Sequence, residues 1–177
     1  MKKIISVMCV VLAALTVNAA SINWSFAWAT DANGDDVAAG SAAYLVDAAT
    51  YSVSAAAAAL DAGTFDVSKV LDTASVKVNG SNGAYVNQLV NASLSGSATF
   101  YAIIKTDDFY AMTDPITASI KSVGSTTVNF GELSDENGVS AMTWKTLGGG
   151  GGDVPEPTSG LLLLVGGAML VLRRKQK

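Results

Sequence analysis

The sequence predicts an all-β domain of sandwich or jelly-roll type with one short alanine-rich helix, flanked by an N-terminal signal peptide and a C-terminal transmembrane helix. Three observations predict it. The middle of the 177-residue chain breaks into short runs of β-branched and aromatic residues separated by Gly and Asn turns. Several of these runs alternate apolar and polar residues with the period of a half-buried strand. The long apolar stretches stand at the two ends.

Residues 1–19 read as a secretory signal peptide. Lys2 and Lys3 form a positive n-region, residues 4–17 are mostly apolar, and Val17-Asn18-Ala19 puts small residues at the cleavage positions. Signal peptidase acting after Ala19 leaves a chain that starts at Ala20 or Ser21. Cys9, the sole cysteine, departs with that segment, and Ser6-Val7-Met8 is a poor lipobox. The mature chain then has neither Cys nor His, so it has no disulfide to staple it and depends on burial and strand pairing.

Residues 20–147 form the predicted exported domain. Ile22, Trp24, Phe26 and Trp28 alternate with smaller residues, which predicts a strand with one face in the core. A loop with an Asn33-Gly34 turn comes next, then a short strand at residues 43–46. Five consecutive alanines predict one helix over residues 54–61, stopped by Gly63. Residues 74–78 alternate as a strand, and Asn79-Gly80-Ser81-Asn82-Gly83 is a turn that returns the chain through residues 84–90 as a hairpin. The densest β-forming run, residues 99–105, is read as a central strand. Residues 109–112 continue as another, and Pro115 confines its surroundings to an edge or a strand start. Residues 117–122 and 126–130 are short strands divided at Gly124, and residues 139–145 carry the last, with Trp144. The strand order does not follow from these patterns.

Charge narrows the function classes. Residues 20–153 hold five lysines against fourteen acidic residues, a net charge of −9. That balance repels nucleic acid and anionic lipid, both of which require basic patches. Without His or Cys, a His-based triad, a thiol nucleophile and the common zinc ligands are all missing, so the chain is read as no enzyme and as holding no cofactor. Carboxylate chemistry would need two carboxyls facing each other across a cleft. Asp107, Asp108, Asp114, Asp135 and Glu136 are available, all in turn contexts where acidic residues are ordinary.

Asp31, Asn33 and Asp35 alternate as oxygen ligands do in a Ca2+ loop, but Gly34 stands at the fourth position and Ala42 at the twelfth, where glycine belongs sixth and glutamate twelfth. A solvated polar turn is the stronger reading. Trp24, Trp28, Tyr44, Tyr101, Tyr110 and Trp144 raise a second possibility, a carbohydrate-binding module that stacks sugars on exposed rings. For Trp24, Phe26 and Trp28, packing in the core is the stronger reading. Asn23, Asn79 and Asn91 begin N-x-Ser tripeptides, a weak signal in a Ser- and Asn-rich chain.

Residues 148–153 are a Gly-rich linker, a flexible coil that separates the domain from the C-terminal tail. Residues 154–177 then carry Pro155-Glu156-Pro157, an apolar segment at 159–172 and the basic cluster Arg173, Arg174, Lys175 and Lys177. A helix from Thr158 to Leu172 spans roughly 22 Å at ~1.5 Å per residue. This is short for a bilayer core of about 30 Å. The terminal cations mark the cytoplasmic side, as do Lys2 and Lys3 at the other end, which places the region between them outside the cytoplasm.

In this order, the three features resemble the PEP-CTERM sorting signal of exported bacterial proteins. The resemblance covers the tail alone. It implies a membrane-anchored precursor in the inner membrane of a Gram-negative-type bacterium, processed near Pro155-Glu156-Pro157 by an exosortase-type membrane enzyme. It further implies a mature form at the cell surface or outside the cell, in company with an exopolysaccharide system. A plain tail anchor is the competing reading. The expected function is a structural or interaction protein of the surface or extracellular matrix, with carbohydrate binding as the alternative.

Overall fold

A computed structural model describes residues 20–135 and 140–148. The expected signal peptide, the sorting tail with its apolar helix, and nearly all of the linker lie outside the described residues. Among the described residues no helix is long and apolar enough to cross a membrane.

The elements in chain order are β1 (Ala20–Ala27), β2 (Ala42–Asp47), α1 (Val53–Asp61), β3 (Asp72–Ser75), β4 (Lys77–Asn79), β5 (Gly83–Ala92), β6 (Ser97–Lys105), β7 (Phe109–Met112), β8 (Ile116–Ser119), β9 (Ser125–Glu132) and β10 (Trp144–Thr146). The described residues are therefore mostly β-sheet with one short α-helix. One sheet has the order β4-β5-β1-β9, and the other runs β10-β7-β6-β2-β3 with β8 also beside β6.

The two sheets share a core. Ile22, Trp24 and Phe26 of β1, Val86 of β5 and Val128 of β9 pack in one cluster with Ala43 and Leu45 of β2 and Phe100, Ala102 and Ile104 of β6. This is where the alternation in β1 leads: the odd-numbered residues from Ser21 to Ala27 are left half-buried on the opposite face. β2 and β6 lack such a polar face. Their alternate residues Tyr44, Val46, Tyr101 and Ile103 join Tyr110 beneath Ala56 and Leu60 of α1, in a second core. Burial on both faces accounts for the unbroken apolar runs in these two strands, and β6 lies inside its sheet as the sequence predicts.

Helix α1 begins where Ser52 Oγ accepts the Ala55 N–H at 3.3 Å and closes with Gly63 in the left-handed region at φ +67°. It is one residue longer at its start than expected. The hairpin turn at Asn79 forms as predicted, with Asn79 Oδ1 accepting the Ser81 and Asn82 N–H groups at 3.0 and 2.7 Å.

Two readings need correction. Residues 74–78 do not make one strand: the chain leaves the six-stranded sheet at Ser75 and enters the four-stranded one at Lys77. Between them Val76 is buried and tied to the β2 approach by Gly40 N–H to Val76 O and Val76 N–H to Ser41 O. Its alternation continues across the break, so periodicity alone does not reveal the change of sheet. The last strand is only Trp144–Thr146, because Ser134 and Ser140 form an isolated bridge and the chain bends after it. A short 3-10 turn at Val67–Lys69, capped by Asp66, carries no signal in the sequence pattern.

Pro115 acts as expected, with a further consequence. β7 and β8 pair along the same strand β6, yet their registers differ by one residue across Thr113, Asp114 and Pro115. The resulting bulge keeps its hydrogen bonds through Thr113, whose Oγ1 accepts the Ala102 N–H at 2.9 Å while its own N–H donates to Ala102 O at 3.0 Å.

Candidate functional site

The Asp31 loop is a self-contained turn. Asp31 Oδ1 accepts the N–H groups of Asn33 and Asp35 at 2.8 and 3.1 Å, and Asp31 N–H donates to Asp35 O at 2.8 Å. Asp31 thus spends one carboxylate oxygen on its own backbone, as an Asx turn does. Asn33 and Asp35 are exposed around it. Among the described residues no group of three His, Cys, Asp or Glu side chains converges as a metal site.

The six aromatics singled out in the sequence do not form one platform. Trp24, Tyr44, Tyr101 and Tyr110 are buried. The Trp24 indole N–H donates to Asp72 Oδ2 at 2.8 Å, Tyr101 OH to the Tyr51 carbonyl at 2.7 Å, and Tyr110 OH to Asp61 Oδ1 at 2.5 Å. Burial pushes both the Tyr101 and Tyr110 phenols well above the usual tyrosine range, helped by Tyr51 at the first and by Asp61 at the second.

Trp28 is 38% exposed, at the end of β1 in the left-handed region at φ 52°. Its ring lies so close over Gly83 that a Cβ there would stand 2.7 Å from Trp28 Cε3. Trp144 is half-buried and donates its indole N–H to Thr30 O at 2.9 Å and Ser140 Oγ at 3.0 Å. With exposed Phe109 and the Asp31 loop it lines a 220 Å³ pocket. Sequence reasoning misses Phe109, because its position at the tip of the β6–β7 hairpin is what exposes it.

Of the candidate carboxylates, Asp114 lines a 320 Å³ cleft together with Thr113, Ile116 and Glu132. Asp107 and Asp108 are exposed at the turn between β6 and β7, and Glu136 lies outside the described residues.

A further surface escapes the sequence reading altogether. The outer face of the four-stranded sheet is bare, whereas that of the six-stranded sheet is covered by α1. The pairing registers place Ser125, Ser21 and Asn91 in one row across it, then Thr127, Asn23 and Leu89, then Asn129, Ser25 and Asn87. Next to the third row a 440 Å³ cleft opens, with Ser25, Asn82, Tyr85, Asn87, Asn129 and Glu132 among its lining. Glu132 is the single charged side chain of β1, β5 and β9. The signal available in the sequence is the run of uncharged Ser, Thr and Asn at alternate positions in three separate strands.

Together these features define a two-sheet β protein with one face sealed by a helix and the other left as an open hydroxyl and amide surface. The comparisons with known proteins address the tail: residues 153–176 match the PEP-CTERM protein-sorting motif. The motif implies export and processing by an exosortase, a membrane enzyme, from a membrane-anchored bacterial precursor. No curated protein and no solved structure matches the chain.

Proposed function

We propose that this chain is an exported, non-enzymatic structural or interaction protein of the cell surface or extracellular matrix, delivered there by its PEP-CTERM tail. The observation that carries the reading is the sorting motif at residues 153–176. The absence of His and Cys from residues 20–153 supports a role outside catalysis. In this reading signal peptidase removes residues 1–19, and an exosortase-type enzyme in the inner membrane of a Gram-negative-type bacterium acts near Pro155-Glu156-Pro157. The basic cluster Arg173, Arg174, Lys175 and Lys177 holds the precursor's end on the cytoplasmic side.

Intact mass of the protein from native-host fractions tests this. The expected species lacks residues 1–19 and the tail from near Pro155 onward, and is found at the surface or in the medium. A species that keeps residues 161–177 in the inner membrane would make the chain a tail-anchored periplasmic protein and end the proposal.

A second reading, carbohydrate binding, is favoured by the open polar face. The six aromatics singled out in the sequence do not support it, since four of them are buried.

A further inference from the structure

We infer that the outer face of the four-stranded sheet, centred on the cleft between Tyr85, Asn87, Asn129 and Glu132, binds a neutral polysaccharide. This rests on the carbohydrate reading above and gives it a site other than the aromatic set. The hydrogen-bonding groups are present and oriented. Asn129 Oδ1 accepts the Gly131 N–H at 2.9 Å and Ser25 Oγ at 3.3 Å, which fixes the amide and leaves its Nδ2 free to donate. Asn91 is held in the same way by Ser21 Oγ at 2.9 Å. Among the described residues the side chains of Asn87, Tyr85 and Glu132 have no hydrogen-bond partner. The cleft therefore offers amide donors, amide and carboxylate acceptors, and a phenol that does both.

The chemistry of the face selects among occupants. Sugar hydroxyls donate and accept without charge, which suits paired amides and hydroxyls. An anionic polymer would bring its charges to Glu132, in an exported region (residues 20–153) of net charge −9, and the lysine that the strands of this face carry is Lys77 of the edge strand β4, opposite Tyr85. A protein partner requires a well-packed apolar centre, and Leu89, 60% exposed, is the large aliphatic side chain this face offers. Tyr85 supplies an aromatic surface for a sugar ring within the same cleft. From Ser21 to Ala27 the face extends about 20 Å at ~3.3 Å per residue, enough to hold several consecutive units of a linear chain.

The test is affinity electrophoresis of the full chain in mild detergent, through gels containing hydroxyethyl cellulose, mannan or dextran, with alginate as the anionic comparison. Retardation by at least one neutral polymer and not by alginate is expected. Asn87→Ala and Tyr85→Ala should each weaken it roughly tenfold, the scale of lost hydrogen bonds and ring contact. Both side chains lie outside the core, and near-UV circular dichroism verifies the fold of each variant. Phe109→Ala, in the separate 220 Å³ pocket, should leave the retardation unchanged. Retardation lost in Phe109→Ala but kept in Asn87→Ala and Tyr85→Ala would overturn this site while leaving carbohydrate binding in place. No retardation by any neutral polymer, or a preference for alginate, would overturn the inference, and the first of these would remove the carbohydrate reading as well. Neither result bears on export, which the mass measurement decides separately.

Discussion

Trp24 and Tyr110 are both buried aromatics that keep a polar atom satisfied by a carboxylate, and the two differ in what pH does to them. The Trp24 indole donates to Asp72 and does not titrate in water. Tyr110 donates to Asp61 and, like Tyr101, has its phenol held neutral well above its ordinary range near ~10. A tyrosine whose folded pKa is raised contributes stability that is fully present below its unfolded pKa. That stability is lost as the pH rises past that value toward the folded one. Urea midpoints should therefore hold steady up to pH ~10 and fall above it. Tyr110→Phe should cost about 1–3 kcal/mol at neutral pH, where the bond to Asp61 is lost, and should flatten the alkaline decline. A Tyr110→Phe decline as steep as that of the parent chain would show that Tyr110 does not carry the effect. At this scale the sequence is informative about burial, because alternation in β1 marks Trp24 and Phe26 as core-facing. It is wrong for Trp28, which the same alternation places in the core: β1 ends at Ala27, and a left-handed backbone turns this ring out, 38% exposed, over Gly83 of a loop more than fifty residues away.

Elements are legible wherever a local physical rule decides them. The alanine run and Gly63 mark a helix by propensity and capping alone, and Asn79 closes its turn with its own side chain. They are illegible where a partner strand decides them, as at Val76, whose alternation runs through a change of sheet. The bulge between β7 and β8 lies between these cases. Pro115 announces an interruption, but the residue that repairs it, Thr113, is recognised only from its bond to Ala102. Thr113 is buried, so Thr113→Val leaves the Ala102 N–H without an acceptor in a dry site. The expected cost is about 1–3 kcal/mol in chemical denaturation. Thr113→Ser keeps the hydroxyl and should recover most of it. A larger loss in Thr113→Ser than in Thr113→Val would mean that the methyl group's packing, and not the hydroxyl, supports the bulge.

For the whole molecule the decisive feature is that β2 and β6 belong to two cores at once. Leu45, Phe100 and Ile104 face the other sheet, while Val46, Tyr101 and Ile103 face α1. Sequence pattern shows two continuous apolar runs but cannot say that a helix covers one side. Nor can it foresee the parallel pairing of β1 with β9, about a hundred residues apart, which completes the open Ser/Thr/Asn face. That face is hidden for the same reason, its three rows being assembled from strands distant in the chain. Because both cores share the same two strands, they should melt together. Leu60→Ala removes the largest aliphatic contact α1 makes with the second core, at a cost of about 2–5 kcal/mol. Trp24 reports on the first core, where Leu60 does not reach. If the strands couple the cores, Leu60→Ala lowers the midpoint seen by tryptophan fluorescence as much as the midpoint seen by far-ultraviolet circular dichroism. A fluorescence midpoint left in place, with the dichroism signal lost earlier, would instead show that α1 peels away from a sandwich that stands without it.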